Sequence, residues 1–135
     1  MPTADINYLA VVAAAVVNMA VGFVWYSLKV FGKTWMKEVG LTMKQIGNGP
    51  GIGYAITMIG ALLQAYVLAH FVDYASADTA VEGLVTGLWL GVGLVATSIA
   101  ANYIFAQRSR TLWFIDAGYF VTTLALNGVL LALWV

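Results

Sequence analysis

Four apolar runs separated by short polar connectors set the pattern of this chain: Ile6 to Leu28, Ile52 to Tyr74, Ala80 to Phe105 and Leu112 to Val135. Each matches or exceeds the roughly 20 residues that an α-helix needs to cross a bilayer. The pattern predicts an all-α membrane protein, residues 1–135 forming one domain of four transmembrane helices. The connectors after the second and third runs are too short for anything but turns, so the bundle is expected to be antiparallel.

The first connector differs. Phe31, Trp35 and Val39 recur four apart, and Lys29, Lys33 and Lys37 do the same on a neighbouring stripe, so residues 29–46 are expected to hold a short amphipathic helix lying in the interface. Gly40 should end it, and a second turn is expected from Thr42 to Ile46. Gly47, Asn48, Gly49, Pro50 and Gly51 then form a breaker before the second span. The simplest role is a surface anchor that sets the depth of the first hairpin. A docking surface for a cytoplasmic partner or anionic lipid is the alternative. Helix starts are marked by Asp5 for the first span, by the Thr79 and Glu82 capping box for the third, and by Thr111 for the fourth.

Composition agrees with lipid as the solvent. The chain is 62% hydrophobic and 9% charged, against about 25% charged in soluble domains. No cysteine is present, which removes disulfides and thiolate chemistry. Net charge is zero, but its distribution is informative: every Lys and Arg lies between Lys29 and Lys44 or at Arg108 and Arg110. Short basic loops stay on the cytoplasmic side. That places both clusters inside and the N-terminus, the Tyr74 to Thr79 loop and the C-terminus outside, with the first run a retained span rather than a cleaved signal. Tyr8, Tyr74 and Trp134 then mark the outer headgroup level, and Trp25, Tyr26, Trp35, Tyr54, Tyr103 and Trp113 the inner one. Trp89, Tyr66 and Tyr119 lie deeper and are expected to face protein or to find a partner for their polar atom.

Inside lipid, helices associate through close backbone approach and interhelical hydrogen bonds. Small residues recur at four-residue spacing as Gly83, Gly87 and Gly91 in the third span, Ala61, Ala65 and Ala69 in the second, and Ala10, Ala14, Asn18 and Gly22 in the first. These stripes suit packing within the chain or between copies, and a homo-oligomer is expected. Polar groups at membrane depth are costly, so each is a functional candidate. Asn18, Gln64 and Asn127 fall near mid-span and are expected to meet at one level, as interhelical glue or as a solute site. Asp116 lies one turn inside the fourth span, with Asn102 at a similar depth; an ion pair with Arg108, Arg110 or Lys29 is expected there, a proton or cation site being the alternative. His70 and Asp73 share one side of the second span and are weak metal candidates, so no metal and no cofactor is assigned. Familiar catalytic motifs are missing from the sequence, and enzymatic activity is not expected. The small basic cluster adjoins the membrane, which argues against nucleic acid as a partner.

The run Gly22-Phe23-Val24-Trp25-Tyr26-Ser27, continued by Phe31-Gly32-Lys33 and Trp35-Met36-Lys37, resembles the signature of a bacterial and archaeal family of small four-span membrane proteins known only as a domain of unknown function. Asp116-Ala117-Gly118-Tyr119 and Asn127-Gly128 through Trp134 resemble its second block. The resemblance implies a prokaryotic cytoplasmic membrane and no established activity. It marks Trp25, Tyr26, Phe31, Gly32, Trp35, Asp116 and Gly128 as positions to probe. Small multidrug-resistance transporters have a similar length and span number, but rely on a glutamate in the first span that this chain lacks. The leading expectation is a self-associating small transporter subunit or channel-like protein for a small solute or ion. A non-transporting membrane scaffold is the alternative, and a membrane enzyme acting on a lipid-soluble substrate is a remote third.

Overall fold

In the computed structural model, which describes residues 3–47 and 51–134, the chain forms α1 (Tyr8–Trp25), α2 (Gly32–Val39), α3 (Met43–Gly47), α4 (Ile52–Tyr74), α5 (Ala80–Leu90), a π-helical turn (Gly91–Ala96), α6 (Thr97–Phe105) and α7 (Arg110–Leu133). Among the described residues, four helical segments are long and apolar enough to cross a membrane, with α5, the π turn and α6 together making the third, so the all-α four-span architecture is as the hydropathy pattern predicts. The Asn48 to Pro50 part of the expected breaker lies outside the described residues. The two ends of the bundle differ in charge. Lys29 to Lys44 and Arg108 to Arg110 flank the basic end, whereas Asp5, Asp73 and Asp78 cluster at the acidic end.

Amphipathic α2 follows a tight turn. Trp25 and Ser27 carbonyls accept from Phe31 N and Gly32 N at 3.1 and 2.8 Å, and a Cβ on Gly32 would lie 2.7 Å from the Ser27 carbonyl oxygen. Only glycine fits there. Gly40, at φ +76°, stops the helix as the sequence predicts. The hairpin turns after α4 and α6 instead use Ser76 and Gln107 at positive φ, closed by Ala77 N to Val72 O at 3.0 Å and Arg108 N to Tyr103 O at 2.8 Å.

The capping box on α5 forms as expected: Thr79 Oγ1 accepts from Glu82 N, and Glu82 Oε2 accepts from Thr79 N. The other two caps are corrected. Because α1 starts at Tyr8, Asp5 is too far upstream. Asn7 caps it, its Oδ1 accepting from Leu9 N and Ala10 N at 3.1 and 3.2 Å, while Asp5 N donates to Asp73 Oδ2 at 3.3 Å. Because α7 starts at Arg110, Thr111 falls inside its first turn and Ser109 is the cap. Asn7→Ala should therefore cost about 1 kcal/mol and Asp5→Ala, which keeps the backbone N–H that Asp5 uses, almost nothing, measured by reversible unfolding in mixed detergent micelles. Equal losses would return the cap to Asp5.

α7 is the central helix. It packs against α1, α4 and α5, and half of its apolar window is buried, against 17% for the third span. α1 and α4 pack together through Ala10, Val11 and Ala14 on one side and Ala65, Leu68, Ala69 and Val72 on the other; Ala61 is buried in the same stripe of α4. Against α7, the third span lays Gly83, Gly87 and Gly91. A Cβ on Gly83 would fall on the Gly128 carbonyl, one on Gly87 on the Leu124 carbonyl and 2.8 Å from Ala125 Cα, and one on Gly91 3.1 Å from Val121 Cα. Of the two uses open to this glycine stripe, packing within the chain or between copies, the first holds: α7 covers it. The two backbones approach so closely because no side chain separates them.

The π turn interrupts this third span beside the last of those glycines. Wide turns loosen the carbonyl ladder, and side chains complete it here. Thr97 Oγ1 donates to Gly93 O at 2.8 Å, Ser98 Oγ to Leu94 O, and Trp113 Nε1 of α7 to Ala96 O at 3.1 Å. Trp89, expected to face protein or to find a partner for its indole N–H, does neither among the described residues: it is 76% exposed and points away from the bundle.

Candidate functional site

At the basic end, Asp116 joins three helices. Tyr26, in the first turn beyond α1, donates its hydroxyl to Oδ1 at 2.6 Å, and Tyr103 of α6 donates to Oδ2. The expected ion pair does not form: Lys29, Arg108 and Arg110 are exposed and none bridges to Asp116. Two tyrosines satisfy the carboxylate because the α6–α7 turn is short and brings Tyr103, thirteen residues upstream, back to the level of Asp116. Asn102, the neighbour expected to meet Asp116, projects outward and is exposed. Helical geometry puts adjacent residues about 100° apart, so only one of Asn102 and Tyr103 can face α7.

Aromatic residues enclose this site. Trp25 Nε1 donates to Ile115 O at 2.9 Å, and its ring would touch a Cβ on Gly118 at 3.0 Å. Tyr26 meets Trp35 of α2 edge-on at 5.9 Å and Tyr119 at 5.4 Å. Phe31 packs on Trp25 at 4.9 Å. Trp25, Tyr26, Phe31, Gly32, Trp35, Asp116 and Gly118 are therefore one contiguous structure, which ties the interfacial helix to α7. Gly22 leaves room for the Tyr119 hydroxyl, 3.1 Å from where its Cβ would stand.

A polar seam leads from this site toward the acidic end. Asp116, Tyr119, Thr123 and Asn127 follow one another at spacings of three, four and four residues, which places them on one side of α7. The stretch covers about 16 Å of helix axis. The Tyr119 hydroxyl reaches Asn18 Oδ1 at 2.7 Å and Asn18 O at 3.0 Å, and Thr123 Oγ1 donates to Phe120 O at 3.0 Å. Asn127 is different: its Oδ1 is buried with no hydrogen-bond partner among the described residues. Asp116, Thr123, Asn127 and Asn18 are 9%, 1%, 3% and 6% exposed, so all four are shielded from solvent by protein.

Asn18, Gln64 and Asn127 do not meet. Asn18 lies level with Tyr119, Asn127 is eight residues or about 12 Å further along α7, and Gln64 is exposed on the outside of α4. The alanine stripe of α4 faces the bundle and carries Gln64 away from it.

One turn beyond Asn127, Leu131 lines a cleft of about 400 Å³ at the acidic end, with Asp5, Asn7, Asp73, Asp78 and Trp134 at its rim and Ala10, Ala69 and Val72 deeper. His70 lies elsewhere, its Nδ1 2.8 Å from Tyr66 O and its ring between Tyr66 and Tyr74. Asp73 is engaged by Asp5 N, and among the described residues no three His, Asp or Glu side chains are placed to hold a metal ion.

These features define a polytopic helical membrane protein whose central helix carries a buried polar seam. Its family follows from sequence comparison: the chain belongs to the family described as protein of unknown function (DUF1761), whose model matches residues 9–132. No curated protein and no solved structure matches it.

Proposed function

We propose that the chain is a small transporter subunit that moves a proton or small polar solute along the seam of α7, with Asp116 as the loading group. The observation that carries this reading is a line of buried polar side chains that, among the described residues, begins at a carboxylate without a counter-charge and includes an amide oxygen without a partner. Each is expensive in the membrane interior, where buried ionisable groups are paired or functional. A carboxylate held by two hydroxyl donors keeps room for a proton or cation to complete it, and Asn127 Oδ1 supplies an acceptor further along. No covalent bond of a substrate changes in this reading. The basic end faces the cytoplasm, in keeping with the clustering of all six cationic side chains there. The apolar packing of alanines on either side of the seam favours a second reading, a non-transporting scaffold tied together at Asp116.

Flux into reconstituted vesicles decides between them. With a pH-sensitive dye inside the vesicles and a panel of small cations outside, the wild-type chain should accelerate flux, and Asp116→Asn should lower it at least about tenfold, the loss expected when a required proton-transfer group is removed. Asn127→Leu provides the second arm. It breaks no hydrogen bond, so the bundle should remain folded while flux falls. A folded wild-type protein without flux, or an Asn127→Leu protein with undiminished flux, would favour the scaffold.

A further inference from the structure

The geometry points to a second copy of this chain as the partner of the outward face of α4, with Gln64 at the centre of the interface. Gln64 is the thirteenth of the 23 residues of α4 and is exposed. It lies about 15 Å or more along the axis from either end, too deep for its short side chain to reach the headgroups. Other exposed hydroxyl groups on the spans return their hydrogen bonds to carbonyls one turn back, as Thr57 does to Gly53 O at 2.8 Å and Thr86 to Glu82 O at 2.8 Å. The Gln64 amide makes no hydrogen bond among the described residues. Lipid tails offer neither donor nor acceptor, whereas the same amide on a second copy offers both, so Gln64 complements itself across a two-fold axis.

The surface around Gln64 suits that occupant. Gly53, Thr57, Gly60, Gln64, Val67 and Phe71 follow at alternating four- and three-residue spacing, the spacing of a helix–helix seam. Added Cβ atoms on Gly53 and Gly60 would meet nothing within 4 Å, so the backbone is open to close approach there. The stripe is about a quarter turn from the face that buries Ala61, Ala65 and Leu68, and pairing through it leaves the bundle intact. With the glycine stripe of the third span covered by α7, this face of α4 is where small residues and an unpaired polar group coincide. It is separate from Asp116, so the inference stands independently of transport.

The chain has no cysteine, which makes single-cysteine crosslinking direct. In native membranes, Gly60→Cys and Val67→Cys should each give a disulfide-linked species of twice the chain mass under mild oxidation, and Leu62→Cys, exposed on the opposite side of α4 from this stripe, should not. Gln64→Leu should weaken association in lipid about 3- to 30-fold, the range expected for one interhelical polar contact, read by single-molecule photobleaching across dilution. Val67→Cys carries the test if Gly60→Cys misfolds. A monomer at every dilution, or crosslinking that favours Leu62→Cys, would overturn the inference.

Discussion

Gly87→Val is expected to be among the most damaging single substitutions in this protein, removing about 3 kcal/mol or more of stability, at the upper end of overpacking penalties. The reason is the nature of the obstacle. A Cβ at this position lands on the Leu124 carbonyl and close to Ala125 Cα, which are backbone atoms of a helix and cannot rotate aside. Relief requires α5 and α7 to separate, and separation exposes no compensating surface, because lipid rather than water refills the gap and the dispersion contacts of a close backbone crossing are what held it. Gly128 stands in the same crossing, so Gly128→Val should behave alike. Gly93→Val is the control: an added Cβ there meets nothing within 4 Å. Reversible unfolding in mixed detergent micelles should separate the two classes by at least about 2 kcal/mol. Similar losses at Gly87 and Gly93 would mean that helix propensity, and not the α5–α7 contact, governs both.

Asp116→Leu is expected to cost about 2–5 kcal/mol, because it leaves the Tyr26 and Tyr103 hydroxyls without their acceptor while they remain partly buried. The informative comparison is with the triple variant Asp116→Leu, Tyr26→Phe, Tyr103→Phe. Removing donors and acceptor together leaves nothing unsatisfied, and an apolar replacement of a buried polar cluster is often neutral or stabilising. The triple variant should therefore recover most of the stability lost by the single one. It should still fail in the vesicle assay if Asp116 is the loading group, which separates a structural role from a transport role in one protein. A triple variant less stable than Asp116→Leu would show that each tyrosine hydroxyl contributes through some other contact.

Much of the architecture is legible in the sequence. Four apolar runs of sufficient length have only one economical solution in a bilayer, and Thr79 with Glu82, Gly40 and the Phe31, Trp35, Val39 periodicity mark local events that depend on residues a few positions apart. The structure departs from the sequence pattern in two ways. Asp5 and Thr111 look like caps because either type can cap a helix; which residue does so depends on where the helix starts, and apolar runs leave that uncertain by a turn. Asn102, Gln64 and Trp89 fail for a different reason. Depth along a span can be counted from sequence, but the direction a side chain faces depends on how each helix is rotated. In a helix apolar on all sides, nothing in the pattern distinguishes a protein-facing side from a lipid-facing one. Tyr103 marks the inner headgroup level by its position in the sequence, and the four-residue turn after α6 is the signal that it folds back to the level of Asp116.

The sequence by itself determined that the chain lives in lipid, how many times it crosses, where the interfacial helix lies and which positions carry rare polar or small side chains. These follow from hydrophobic length, charge clustering and local spacing, all one-dimensional quantities. Only the tertiary structure decided that α7 is central, that the third span's glycines are covered by it, that Asp116 answers to two tyrosines instead of an arginine, and that Asn127 is enclosed while Gln64 faces outward. Those outcomes depend on helix rotation and neighbour choice, which are set in a bilayer by backbone approach and hydrogen-bond matching between segments far apart in the chain.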